Sequence, residues 1–115
     1  MKISEIATLL GATVLCCDES LSHEVNSACG SDMMSDVLAY VKNQAVLLTG
    51  LVNPQVIRTA MMMDMRCIVF VRDKKPSEEM IELAKESDIV LLSTPLRMFD
   101  ACGILYTGGL APNEV

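Results

Sequence analysis

The chain has 115 residues and a net charge of −6, with nine Lys plus Arg against fifteen Asp plus Glu. A negative surface repels phosphate backbones and anionic bilayers, so neither nucleic acid nor a membrane is an expected partner. No run approaches the roughly 20 apolar residues of a membrane-spanning helix, and the N-terminus lacks a basic segment followed by a hydrophobic signal core. We therefore expect one cytoplasmic domain over residues 1–115.

The core must be aliphatic, because 51% of the residues are apolar but only 3% are aromatic. The five cysteines form an odd set without CxxC spacing, which argues against a secreted disulfide framework or a zinc finger. Free thiols in a reducing compartment and no bound cofactor are the expected state. The cysteines are Cys16, Cys17, Cys29, Cys67 and Cys102.

The N-terminal third predicts a helix, one or two strands and a second helix. Apolar residues recur at helical spacing up to Leu10, and Gly11 can close that helix in a left-handed conformation. Residues 13–17 and 24–29 have the composition of short strands. Ser31 and Asp32 are predicted to cap the second helix. Its apolar face would carry Met34, Val37, Leu38 and Val41.

The central stretch reads as a βαβ unit. Residues 45–49 and 67–71 are continuous apolar runs, which are typical of parallel strands covered on both faces. Asn53 suits the cap of the intervening helix and Pro54 its first position. Arg58 and Thr59 are expected to face solvent. The predicted apolar stripe of this helix is Val56, Ile57, Ala60, Met61 and Met63.

The C-terminal third repeats this alternation. Pro76 is predicted to open a helix, residues 89–92 form a third buried strand, and Thr94 with Pro95 is expected to open the last helix. From residue 45 onward the order is β, α, β, α, β, α with short connections, and right-handed crossovers then require a parallel sheet with helices across its faces. The sequence therefore predicts an α/β fold, a layered domain with a mainly parallel central sheet and helices on its faces.

Several segments, in this order, resemble those of the DRTGG-domain family. They are the first helix ending at Gly11, residues 31–37, residues 48–50, residues 76–79 and residues 94–96. The resemblance covers nearly the whole chain and implies a single DRTGG-like domain with a regulatory or unassigned role and a tendency to dimerise. It also implies a bacterial protein of the stand-alone type, which is often encoded near iron hydrogenase genes.

Other members of that family are joined to CBS-type pyrophosphatases, cobyrinate-synthase-like enzymes or phosphotransacetylases, and the domain is similar to the N-terminal domain of HPr kinases. Two elements of the family motif are replaced in this chain. The Asp-Arg pair would fall near residues 52–53, and the Thr-Gly-Gly near residues 72–74. The Thr-Gly-Gly at residues 107–109 follows the last predicted helix, so we interpret its glycines as a helix stop.

Two groups of polar residues are candidate ligand sites. Thr49, Gly50 and Asn53 lie where a strand gives way to a helix, a position that either holds an anion or forms an ordinary turn and cap. The loop has neither GxGxxG nor a P-loop. Asp32 and Asp36 lie four residues apart, with Ser35 between them, so on a helix they would share a face. They could bind a cation or exchange a proton, or simply begin a helix.

The cysteines and the methionines each have a possible functional role in addition to a structural one. Cys29, next to a glycine, is the candidate reactive thiol, whereas the other cysteines suit the core. In a strand, the adjacent Cys16 and Cys17 would point to opposite faces. The methionines at 61–63 spread around their helix, so a dimer interface suits them better than a copper site, with Met62 pointing away from the core.

The sequence thus favours a non-enzymatic regulatory or ligand-binding module that forms a homodimer and takes a small anionic ligand. The alternative is a thiol- or metal-linked redox accessory protein of hydrogenase metabolism, using Cys16, Cys17 or Cys29. Phosphoryl transfer is the least favoured interpretation, because the activity of HPr kinases resides in another domain with its own P-loop.

Overall fold

The computed structural model describes residues 1–41 and 44–112. These residues form a six-stranded sheet with five α-helices and one short 3₁₀ helix, Asp18–Ser20. The strands are β1 (Thr13–Cys16), β2 (Ser27–Gly30), β3 (Ala45–Thr49), β4 (Cys67–Phe70), β5 (Val90–Ser93) and β6 (Ala111–Pro112). The helices are α1 (Ile3–Leu10), α2 (Met34–Tyr40), α3 (Pro54–Met62), α4 (Glu78–Glu86) and α5 (Met98–Thr107).

The strand order is β1-β5-β4-β3-β2-β6, and every neighbouring pair is parallel except β1 with β5. This confirms the predicted α/β fold with a mainly parallel sheet. Helix α3 contacts both α2 and α4, whereas α5 contacts α1 and crosses β2 and β3. Right-handed crossovers put α2, α3 and α4 on one face of the sheet, and α5 returns along the other face to reach β6.

The core lies along β3, β4 and β5, whose residues are all buried. The continuous apolar runs in the sequence anticipated this, since strands covered on both faces have no solvent side. In residues 1–41 and 44–112, no helix combines the length and the apolar character needed to cross a bilayer.

Local end signals correctly placed three helix boundaries. Gly11 closes α1 at φ 58°, in the left-handed region. Asn53 caps α3 by accepting a 2.9 Å hydrogen bond from the Gln55 amide, with Pro54 in the first helical position. Helix α5 ends at Thr107 and Gly108 caps it, so the interpretation of the following glycines as a stop is confirmed.

Other predicted helix starts are wrong. Helix α5 begins at Met98, because the hydroxyl of Thr94 donates instead to the Leu10 carbonyl oxygen at 2.7 Å. Ser77 caps α4, so Pro76 lies just outside that helix. Neither Ser31 nor Asp32 caps α2, which begins after Met33 without a side-chain cap. Thr94, Ser31 and Asp32 all make hydrogen bonds outside the helices to which local sequence had assigned them.

The predicted faces of α3 need two corrections. Thr59 is fully buried, not exposed, and Met61 is 47% exposed, not part of the core stripe. Thr59 is buried because α3 is the middle helix of its layer, with α2 on one flank and α4 on the other. Met62 is 72% exposed, as predicted, and Arg58 also faces solvent.

Candidate functional site

The carboxyl ends of β2, β3, β4 and β5 meet at one edge of the sheet, where ligands bind in many α/β folds. The loops after β2, β4 and β5 enclose a cavity of about 470 Å³ there, which we call the carboxyl-edge crevice. It is lined by Gly30, Ser31, Asp32, Val71, Arg72, Arg97, Met98 and Phe99.

Backbone hydrogen bonds hold two walls of the crevice together. The Arg72 amide donates to the Leu96 carbonyl oxygen at 2.7 Å, and the Asp73 amide donates to that of Thr94 at 2.8 Å. Arg72 and Asp73 both adopt left-handed backbone conformations, with φ 56° and 58°. This turn brings the segment after β4 alongside the segment after β5, so that Arg72 and Arg97 line one cavity.

Two cationic side chains of the crevice are available to a ligand. Within the described residues, the guanidinium groups of Arg72 and Arg97 have no ion pair or hydrogen bond, and both residues are exposed. The Arg72 guanidinium lies over Gly50, where a Cβ atom would collide with Nη2. Lys75, in contrast, pairs with Asp73 at 3.0 Å. The crevice is therefore locally basic in an acidic protein.

Helix α5 begins inside the crevice. Its cap residue, Arg97, makes no side-chain capping bond, and the amides of Met98, Phe99 and Asp100 have no partner among residues 1–41 and 44–112. The free N–H groups and the helix dipole of this 10-residue helix favour negative charge at that position. Free amides beside two guanidinium groups are donors suited to a phosphate or carboxylate.

Three of the six predicted site residues come together at this edge. Oδ1 of Asp32 accepts hydrogen bonds from the Gly50 amide at 2.7 Å and from the hydroxyl of Thr49 at 3.0 Å. Oγ1 of Thr49 also accepts from the Leu51 amide at 3.1 Å, and Thr49 is fully buried. Asp32 thus ties the β2–α2 loop to the end of β3, and the donors predicted for an anion are already engaged.

The other three predicted residues lie elsewhere. Ser35 and Asp36 are exposed on α2, and because Asp32 precedes that helix, the expected shared helical face does not exist. Asn53 serves as the α3 cap. Since Pro54 has no N–H group, α3 also presents fewer free donors at its start than α5 does.

Sequence reasoning missed Arg72 and Arg97. Both follow parallel strands at the carboxyl edge, and this placement was a usable signal for Arg72, which lies just after a strand that was correctly predicted. Arg97 was hidden inside a helix that was expected to begin three residues earlier.

The surroundings of Cys29 and Cys17 raise the pKa of both thiols. Burial, then the neighbouring Cys102 and Asp36, raises the pKa of the half-buried Cys29, so the candidate reactive thiol is not activated. Burial, then Cys16, raises the pKa of Cys17 to about 12. The expectation of opposite strand faces does not apply, because β1 ends at Cys16 and Cys17 follows it with φ 62°. The Cys16 thiol donates to the Ile89 carbonyl oxygen at 3.5 Å and the Cys17 thiol to that of Ala84 at 3.9 Å.

A second cluster lies at the opposite corner of the molecule. The sulfur of Cys17 and carboxylate oxygens of Glu19 and Asp88 lie within 4.8 Å of one another, a donor set compatible with a metal ion. The hydroxyl of Ser20 donates to Asp88 at 2.5 Å. Sequence spacing could not reveal this cluster, because Asp88 follows α4 and is far along the chain from Cys17 and Glu19.

Comparisons with known proteins agree with this architecture. A model of the DRTGG domain matches residues 5–107. The crystal structure of the CBS and DRTGG domains of the regulatory region of Clostridium perfringens pyrophosphatase, complexed with the activator diadenosine tetraphosphate, is similar with a TM-score of 0.74 and 18% identity. The similarity covers 90% of this chain and 45% of that one, so this chain spans less than half of its structural neighbour. No protein with a curated description matches.

Proposed function

This chain belongs to the DRTGG domain family, and from that premise we propose that it is a non-enzymatic regulatory domain that binds a small anionic ligand in the carboxyl-edge crevice. The observation that carries the proposal is that Arg72 and Arg97, whose guanidinium groups have no ion pair within the described residues, line the same cavity as the start of α5. The proposal treats residues 1–115 as one domain acting in the cytoplasm.

Charge complementarity supports an anion. The protein carries a net charge of −6, and yet two arginines that have no ion pair within the described residues line one cavity. Arginine presents several N–H donors in a planar fork that matches phosphate and carboxylate oxygens. The activator bound to the structural neighbour is itself a polyphosphate, and that protein's region is described as regulatory.

The chemistry of the crevice supports binding over catalysis. Its lining has one carboxylate, Asp32, and the Oδ1 atom of that group accepts two hydrogen bonds from the end of β3. Neither His nor Cys belongs to the lining. A nucleophilic hydroxyl is activated by donating its proton to a general base, and the Ser31 hydroxyl of the lining donates instead to the Met33 carbonyl oxygen at 3.4 Å.

Calorimetric titration with inorganic pyrophosphate tests the proposal. We expect saturable binding that weakens about 10-fold or more in Arg72→Ala and in Arg97→Ala, because each change removes charge-assisted hydrogen bonds. Arg58→Ala is the matched control, since Arg58 is an exposed arginine on α3, outside the crevice. Absence of binding at millimolar pyrophosphate, or an equal loss in the control, would refute the proposal.

We also propose a homodimer formed through the outer surface of α2 and α3. Met61 and Met62 on α3 and Leu38 on the neighbouring α2 are exposed apolar side chains, an arrangement that association would cover. Sedimentation at micromolar concentration should show a dimer that Met62→Glu dissociates. A purely monomeric wild-type protein would remove this part of the proposal.

The cluster of Cys17, Glu19 and Asp88 favours one alternative, a metal-linked accessory role. A bound cation would reverse the effect of the two carboxylates, which raise the pKa of the Cys17 thiol. Metal analysis after anaerobic purification, compared between wild type and Asp88→Asn, tests this alternative. Stoichiometric metal that the variant loses would support it, and metal-free wild-type protein would exclude it.

A further inference from the structure

Phe99 is placed unusually for a large apolar side chain. It is the second residue of α5, and its side chain is 86% exposed. Phe99 lines the carboxyl-edge crevice and also a second cavity of about 690 Å³, which we call the α1–α5 groove. That groove is lined by Leu9, Leu96, Phe99, Asp100, Gly103, Ile104, Thr107 and Gly108.

We propose that the anionic ligand is a nucleotide, whose phosphates occupy the carboxyl-edge crevice and whose base stacks on Phe99 at the mouth of the α1–α5 groove. The proposal rests on the function proposed above and names the ligand class for the same site. Its basis is that one exposed aromatic ring joins a basic cavity to an apolar one.

The groove suits a flat apolar group. Leu9 on α1, Leu96 just before α5 and Ile104 on α5 supply aliphatic surface. One turn after Phe99 lies Gly103, and apart from its chain neighbours and the backbone of its own helix, no described atom stands within 4 Å of the place where its Cβ would be. The helix surface beside the ring is therefore open, so a base can lie across it. Stacking on an aromatic ring accepts every base, since each has a π face.

Asp100 favours a nucleoside over an acyl chain. It lies on the rim of the groove, is exposed and has no ion pair within the described residues. A carboxylate accepts hydrogen bonds, and a nucleoside offers donors in its ribose hydroxyls and exocyclic amine. An acyl chain has no such donor, so it would leave this carboxylate beside hydrocarbon.

The test compares ADP with inorganic pyrophosphate, which carry the same number of phosphorus atoms, by calorimetry without magnesium. We expect wild-type protein to bind ADP more tightly than pyrophosphate. Phe99→Ala should weaken ADP binding about 5- to 150-fold, the range of one stacked base, and leave pyrophosphate binding unchanged. Because Phe99 is exposed, the substitution should not unfold the protein.

Tyr106→Ala is the matched control. Tyr106 is an aromatic residue on the same helix, 67% exposed and two turns further on, and it lines neither cavity. It should leave both affinities unchanged. Two results would overturn the nucleotide inference: equal wild-type affinity for ADP and pyrophosphate, or ADP binding that is unchanged in Phe99→Ala. In either case, pyrophosphate binding would still support the anion site. Failure of both ligands to bind refutes the inference and the proposed function together.

An apolar contact between subunits is the competing explanation of the exposed ring. Sedimentation of Phe99→Ala under the same conditions separates the two explanations. A dimer that dissociates on substitution, with ADP affinity unchanged, would assign Phe99 to an interface and overturn the inference.

Discussion

Replacing Asp32 by Ala tests whether this carboxylate holds the crevice together. The change removes the acceptor of the Thr49 hydroxyl, which belongs to a fully buried residue, and of the Gly50 amide, which is at the surface. Losing the partner of a buried polar group costs about 1–3 kcal/mol, and an exposed amide can bond to water instead. We therefore expect the free energy of unfolding to fall by about 2 kcal/mol.

Asp32→Asn is the matched control for that change. Its amide oxygen can replace Oδ1 as the acceptor of both hydrogen bonds, so we expect a loss of about 1 kcal/mol or less. Urea unfolding at neutral pH measures both variants, with an unchanged m-value as evidence that the unfolded states are comparable. An Asp32→Ala loss below about 0.5 kcal/mol, or an equal loss in Asp32→Asn, would show that the two hydrogen bonds do not stabilise the loop.

Three further outcomes follow from the contacts described. Thr59 and Thr94 are both fully buried, but within the described residues only the hydroxyl of Thr94 has a partner. Thr59→Val should therefore leave the free energy of unfolding unchanged or raise it by about 1 kcal/mol. Thr94→Val should lower it by about 1–3 kcal/mol. Urea unfolding measures both variants, and equal losses of stability would contradict this expectation. Gly50→Ala should displace the flexible end of the Arg72 side chain, because the new Cβ would collide with it. Pyrophosphate binding measured by calorimetry should weaken severalfold, while stability changes little. Unchanged binding would contradict the proposed role of Arg72. Burial and Cys16 raise the pKa of Cys17 to about 12 from its ordinary 9.0, so the folded state keeps a proton that the unfolded state has lost. Stability should therefore fall as pH rises from 9 towards 12, and it should fall less steeply in Cys17→Ala. Urea midpoints that change with pH in the same way in both proteins would refute the raised pKa of Cys17.

Much of the fold could be predicted because its signals are local. The buried strands β3, β4 and β5 appear as continuous apolar runs. The start of α3 is marked by two adjacent residues, Asn53 as its cap and Pro54 as its first residue. Thr94 carries a similar local signal but donates to Leu10, 84 residues away. No sequence window contains both partners of such a bond, which is why the start of α5 was misplaced.

The candidate site was predictable only in part, for the same reason. Thr49 and Gly50 were placed at a strand end from the sequence, whereas Asp32 was assigned to a helix with Asp36, and only the structure shows Asp32 accepting hydrogen bonds from Thr49 and Gly50. Arg72 and Arg97, whose guanidinium groups have no partner in residues 1–41 and 44–112, follow two different strands. They line one cavity only because the loops after β4 and β5 run side by side.

The central claim is that the carboxyl-edge crevice binds an anion through its two arginines and the start of α5. Titration of isotope-labelled protein with pyrophosphate, followed by amide and arginine side-chain NMR signals, tests it most directly. We predict the largest shifts at the amides of Met98 and Phe99 and at the Nε–H groups of Arg72 and Arg97. Shifts concentrated at the start of α3, around Gln55, or no saturable shifts at all, would contradict the claim.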